Sequence, residues 1–193
     1  MVIDSYTKSF FNPRYYKKKH QTLIASARSG NAIGGGDWQK DRIVPDIIRS
    51  IFDKKEKLII RNPESIRPWQ YILELLYGYM LLAKKMYEGR KELCGAYNFG
   101  PKEKNYLTVR EIIHQTFKII KNRSYFIKKD SRKREADFLK LDIEKVKKKL
   151  GWKPIFDIDE TLKLTLSWYQ GFYNKDDIVS LTNQQIKLFF NEI

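Results

Sequence analysis

The sequence predicts an α/β fold within one domain spanning residues 1–193. Three observations lead there. A short apolar run, Leu23-Ile24-Ala25-Ser26-Ala27, opens into a glycine-dense polar loop at residues 30–37, the pattern of a buried strand whose carboxyl end carries a ligand loop in an open α/β sheet. Further short apolar runs at residues 58–60, 69–72 and 95–99 alternate with longer stretches whose apolar residues recur at intervals of three and four, the signatures of strand and amphipathic helix. Neither an internal repeat nor a low-complexity linker marks a second domain in the 193 residues.

Each element has a local reason. Residues 2–11 carry Tyr6, Phe10 and Phe11 at helical spacing and read as the end of a helix, stopped by Asn12-Pro13. A basic loop, residues 14–20, leads to the strand at 23–27, and the loop at 30–37 follows. Residues 42–55 form an amphipathic helix through Ile43, Ile47, Ile48, Ile51 and Phe52, with Pro45 in its first turn, where proline is tolerated. The strand at 58–60 is followed by a polar turn with two prolines, residues 61–68. A strand-like run at 69–72 precedes an apolar helix at 75–87, and the strand at 95–99 is closed by Gly100-Pro101. Thr108 caps a helix that ends near Lys121, with Glu111 three residues on as its capping-box partner. A strand is expected at 125–127. A short helix begins at Asp142 and is ended by Gly151. Helices at 159–173 and 182–190 complete the chain, the last capped by Thr182.

Composition sets the class. A 42% hydrophobic content supports a globular core, and the formal charge of +15 raises the question of an anionic partner. The lysines, however, run along almost the whole chain in short clusters such as 17–19, 128–129 and 147–149, which fits a general lysine bias better than a nucleic-acid tract. Cys94 stands alone, so no intrachain disulfide is expected and a reducing, cytoplasmic setting fits. No apolar run approaches the roughly 18 residues of a membrane span.

Chemistry-bearing residues gather in four places. The first is the loop from Gly30 to Asp41 with Arg42, in which Asn31 offers a donor and an acceptor. The second puts Arg61, Arg67 and Trp69 in one turn region, two guanidinium forks suited to phosphate oxygens beside an aromatic face suited to stacking on a ring. The third is Asn98-Phe99-Gly100-Pro101 at the end of a strand. The fourth is Arg134-Glu135-Ala136, running into Leu139-Lys140-Leu141-Asp142. Taken singly, each has a structural reading: surface charge, core anchor or turn.

Their order is more specific. ARSGNAIGGGDW, DRIVPDIIRS, RNPESIRPWQYILELLYGYMLLA, AYNFGP, READFLKLD and LGWKP resemble the C-terminal two-thirds of the CDP-glucose 4,6-dehydratase family, over roughly residues 2–193. Glu74 stands where sister families of extended short-chain dehydrogenase/reductases usually have Asp. The resemblance implies the last strands of a Rossmann-type, doubly wound parallel sheet interleaved with a mainly helical substrate-binding lobe. It implies an NAD-dependent lyase that oxidises C4 of a CDP-hexose, removes water across C5 and C6 and returns the hydride to C6, in deoxysugar and surface-polysaccharide (O-antigen) synthesis. It places Asn31 near the nicotinamide end of the sugar nucleotide, Arg67 on the diphosphate, and Arg42 with residues 34–38 around the nucleotide-sugar pocket, with Arg61, Trp69 and Arg134 as further contacts. Arg134 occupies a position where these dehydratases often have histidine.

Two family features are missing from the sequence. No G-x-x-G-x-x-G turn for the NAD phosphates is present, and the proton-transferring Tyr-x-x-x-Lys pair of the helix preceding residue 23 is absent. Tyr15/Lys19, Tyr87/Lys91 and Tyr125/Lys129 match the spacing by chance in a tyrosine- and lysine-rich chain. The chain therefore reads as a truncated dehydratase, inactive alone: either the remnant of a disrupted gene or one half of a split enzyme, with a complementing N-terminal polypeptide or a homodimer as the candidate partners. The alternatives are another NAD-dependent sugar-nucleotide epimerase/dehydratase, or a basic nucleic-acid-binding module. Against the last stand the lack of helix-turn-helix, zinc-ligand and RNA-binding signatures.

Overall fold

The computed structural model describes residues 2–53, 58–120, 126–127 and 138–193. Two strands begin the architecture. β1 (Ala25–Ser29) pairs in parallel with β5 (Gly95–Phe99), from Ala25 opposite Gly95 to Ser29 opposite Phe99. Beside them, β2 (Asn31–Ile33) pairs in parallel with β4 (Ile66–Tyr71), and β4 pairs on its other edge with antiparallel β6 (Tyr106–Thr108). The short strands β3 (Ile59–Ile60) and β7 (Phe126–Ile127) form a third parallel pair. The helices are α1 (Val2–Phe10), α2 (Ile43–Phe52), α3 (Ile72–Tyr87), α4 (Val109–Ile120), α5 (Glu144–Leu150), α6 (Ile158–Asn174) and α7 (Ile178–Glu192). None of them is long and apolar enough to cross a membrane.

Four local expectations need correction. The first strand starts two residues later than its apolar run, because the ladder to β5 opens at Ala25. The glycine-dense segment is not wholly loop: Asn31, Ala32 and Ile33 form β2, drawn into the sheet by β4. The turn at 61–68 likewise gives way at Ile66, where β4 begins. Pro68 lies at the end of the β6 ladder, opposite Tyr106, and one residue before the ladder to β2 begins at Trp69. Finally, α7 starts at Ile178, capped by Asp177, whose carboxylate accepts from the Val179 and Ser180 amides at 3.1 Å. Thr182 lies inside that helix, its hydroxyl returned to the Ile178 carbonyl.

The expected box at Thr108 and stop at Gly151 form as the side chains dictate, and α6 gains a cap not singled out in the sequence. Thr108 and Glu111 make the reciprocal capping box of α4, with Oε2 of Glu111 2.7 Å from the Thr108 amide and the Thr108 hydroxyl 3.1 Å from the Glu111 amide. Asp157 and Glu160 do the same for α6. Gly151 ends α5 at φ 70°, the left-handed conformation that glycine adopts without penalty.

Two packed clusters hold the sheets. Ile33, Val44, Ile48, Trp69, Ile112, Leu162 and Tyr169 join β2 and β4 to α2, α4 and α6. Leu75, Leu82, Tyr97, Phe99, Val146 and Trp152 join α3 and α5 to β5. Glu74 is buried between them, 1% exposed, and its Oε1 accepts from the amides of Ile155 (2.6 Å) and Phe156 (2.7 Å). The carboxylate thus fixes the path of the chain from Trp152 into α6. Burial pushes the Glu74 carboxyl above its ordinary value, against the opposing pull of those two amides.

Candidate functional site

The register of β2 on β4 builds the site. Asn31 lies opposite Trp69, and Arg67 is two residues before Trp69 on the same strand. Paired residues share a face of a sheet, as do residues two apart along a strand, so the three fall on one side. The start of α2 faces them across a cleft of about 510 Å³, within the usual range of about 300–1,000 Å³ for small-molecule sites. Asn31, Arg42, Arg67 and Trp69 all line it, with Asp37 and Asp41. Trp69 serves as its floor: the residue is 1% exposed and its indole N–H donates to the Leu107 carbonyl at 2.9 Å. Arg67 directs Nη1 to the Ile66 carbonyl at 3.0 Å.

The loop from Gly34 to Trp38 is held from three sides. Tyr169 on α6 donates its hydroxyl to the Asp37 carbonyl at 2.6 Å. Burial pushes this phenol up to about 12, so it remains a donor at any ordinary pH. Arg49 on α2 donates Nη1 to the Trp38 carbonyl at 2.9 Å while pairing with Asp46. Trp38 packs against Tyr169, Phe172 and Tyr173, with ring centroids 5.2, 4.8 and 6.1 Å away. None of the residues that lock the loop was singled out in the sequence for this purpose. The α6 stripe of Trp168, Tyr169, Phe172 and Tyr173 was its only trace.

The loop glycines also serve the protein's own packing. A Cβ on Gly34 would stand 2.3 Å from Cγ2 of Ile72, and one on Gly35 would stand 2.1 Å from Cγ of Trp168. They admit the protein's own side chains to the loop backbone, and only Gly36, at φ 83°, needs the left-handed region. A dinucleotide pyrophosphate requires glycine backbone open to the ligand. The Cβ directions of Gly34 and Gly35 are taken up by Ile72 and Trp168, while Gly34 still borders the cleft; their spacing is not that of a dinucleotide phosphate turn.

Charge in the cleft is balanced in pairs that sequence reasoning missed. Arg42 Nη1 lies 3.3 Å from Oδ2 of Asp37, and Arg61 pairs with Asp41. Arg61 therefore sits behind the cleft wall, joined to it through Asp41. Asp41 adjoins Arg42 in sequence, but its partner is 20 residues away, which no local spacing reveals. Arg134 lies outside the described residues, as does the Tyr125/Lys129 match. Neither of the other two chance pairs lines the cleft: Lys19 lies 4.6 Å from the ring centre of Tyr15, and Tyr87 is 93% exposed at the end of α3. Paired lysines are dispersed, on α1 (Lys8 with Asp4), on α3 (Lys85 with Glu88) and on α5 (Lys147 with Glu144).

No family model matches the chain. A CDP-glucose 4,6-dehydratase of Salmonella typhimurium is 38% identical over 187 residues, which make up 96% of this chain and 52% of that protein. The chain thus spans about half the length of the curated relative it matches, less than the two-thirds read from its motifs. Among solved structures, a UDP-N-acetylglucosamine 4-epimerase from Methanobrevibacter ruminantium, in complex with UDP-N-acetylmuramic acid, superposes with a TM-score of 0.68 at 19% identity, over 88% of this chain and 50% of that one. A dTDP-glucose 4,6-dehydratase from Bacillus anthracis, in complex with NAD, gives 0.65 at 19% identity, over 83% and 48%. The chain is similar over nearly its whole length to half of a CDP-glucose 4,6-dehydratase, and over most of its length it has the Rossmann-type fold of about half of a sugar-nucleotide epimerase or dehydratase.

Proposed function

We propose that this chain supplies the sugar-nucleotide-binding part of a CDP-hexose 4,6-dehydratase, a lyase that removes water to give a 4-keto-6-deoxy sugar nucleotide with NAD as cofactor. The observation that carries the reading is the convergence of Asn31, Arg42 and Arg67 on one cleft from three separate stretches of sequence. Similarity to a CDP-glucose dehydratase across those same stretches supports cytidine diphosphate as the nucleotide. In this reading Arg67 grips the diphosphate, with Arg42 on the cleft lining and Arg61 behind Asp41 as further cations. Asn31 meets the sugar where it approaches the nicotinamide, and Trp69 shapes the floor.

The chain binds without turning substrate over. No Tyr/Lys pair stands in the cleft among the described residues, so no chemical step is assigned to it. In this reading a complementing polypeptide of different sequence carries the NAD turn and the Tyr/Lys pair, since a second copy of this chain brings neither. In support, β1 pairs only with β5 among the described residues, whereas parallel strands are normally flanked and covered on both faces.

Calorimetry with CDP-glucose tests the reading. Measurable binding is expected, weakened by about one to two decades in Arg67→Ala, since a charge-assisted hydrogen bond contributes about 1.5–3 kcal/mol. Arg67→Lys recovers only part of that loss, because it keeps the charge and loses the fork. Binding indifferent to Arg67→Ala would overturn the site. Formation of a 4-keto product by the purified chain with NAD alone would overturn the assignment of binding without turnover.

A further inference from the structure

Asp41 has an unusual backbone. Its φ is 63°, one of three positive values at non-glycine residues among those described, in a region that costs an L-residue free energy and that is tolerated best by asparagine and aspartate. The turn that imposes this conformation delivers the carboxylate to Arg61. Asp41 lines the cleft, its side chain 68% exposed, and among the described residues it is the ion-pair partner of Arg61. One turn earlier, Asp37 stands in the same relation to Arg42. Arg42 lines the cleft and Arg61 stands behind Asp41, and a carboxylate of the cleft wall engages one guanidinium nitrogen of each.

An arginine fork satisfied by a carboxylate has the geometry that a phosphate would claim. A ligand can use Arg61 only by taking the place of Asp41, and a neutral sugar ring offers nothing that competes. We propose that Asp41 is a built-in competitor for the ligand's phosphates: it holds Arg61 until a phosphate oxygen replaces it, and so biases the cleft toward ligands that bring diphosphate charge. This deepens the function proposed above and rests on it. Asp37 acts in the same sense on Arg42.

Asp41→Asn is the decisive variant, because asparagine keeps the shape and tolerates the left-handed backbone while removing the charge. Its melting temperature should fall by no more than about 4 °C, the loss of one exposed ion pair. An exposed ion pair contributes about 0.2–1 kcal/mol, so CDP measured by calorimetry should bind Asp41→Asn about 1.4- to 5-fold tighter. In an Arg61→Ala background the same substitution should give no gain, because the two residues act on one contact. Unchanged or weaker CDP binding by Asp41→Asn, with Arg67→Ala still weakening it, overturns this inference and leaves the diphosphate site standing. A gain that persists without Arg61 also overturns it, since the effect is then one of general charge. If neither Arg67→Ala nor Asp41→Asn alters CDP binding, the site itself is wrong and the inference falls with it.

Discussion

The hydroxyl of Tyr169 reaches the main-chain carbonyl of Asp37 at 2.6 Å, across 132 residues of sequence. That bond joins the last third of the chain to the loop that borders the cleft, and it makes α6 part of the site without supplying a ligand contact. Tyr169→Phe keeps the buried ring and removes the bond. The expected loss is about 0.5–1.5 kcal/mol in denaturant unfolding, with weaker CDP binding because the Asp37 turn loosens. Unaltered stability and affinity would show that the loop holds its place without Tyr169.

Glycine substitutions separate two kinds of requirement. Gly35→Ala drives a methyl group into the Trp168 ring, and overpacking of this kind typically costs about 1–3 kcal/mol. The shift should appear both in the thermal midpoint and in tryptophan fluorescence. Gly151→Ala meets nothing within 4 Å but must adopt φ 70°. It should cost about 1 kcal/mol from backbone strain alone, with fluorescence unchanged.

Glu74 is expected to lower stability as pH rises. Its carboxyl is raised in the folded state from the ordinary value of 4.5 by burial, so the folded chain binds the proton more tightly than the unfolded one. Stability is highest below the unfolded value and falls as pH climbs through the folded one. Glu74→Gln keeps an oxygen for the Ile155 and Phe156 amides and should flatten that fall in urea titrations between pH 4 and 8. Glu74→Ala strands both amides and opens a cavity, at a cost of about 2–5 kcal/mol.

Asp157 should show the opposite sign. The Glu160 amide, aided by Lys104, holds its carboxyl below the ordinary value. Its contribution is present above the unfolded value near 3.8 and is lost as pH falls through the folded one. Asp157→Ala removes the α6 cap and should cost about 1 kcal/mol at neutral pH. The deficit should shrink in acid, as followed by helical circular dichroism on thermal unfolding.

Local chemistry was readable in the sequence wherever neighbours along the chain decide the outcome. The capping box at Thr108 and Glu111, the stop at Gly151, the proline in the first turn of α2 and the strand from Gly95 to Phe99 all follow from residues within a few positions of one another. The order of motifs was enough to nominate Asn31, Arg42 and Arg67. What the tertiary structure decided depends on partners far away in sequence. Asn31 belongs to a strand because β4 pairs with it, and Ile66 and Arg67 leave the turn for the same reason. Gly34 and Gly35 serve internal packing because α3 and α6 bring Ile72 and Trp168 against them. Asp41 engages Arg61 because a left-handed turn aims it there. A glycine admits any neighbour and a carboxylate accepts any cation, so the sequence states their capacity, and only the fold selects the partner.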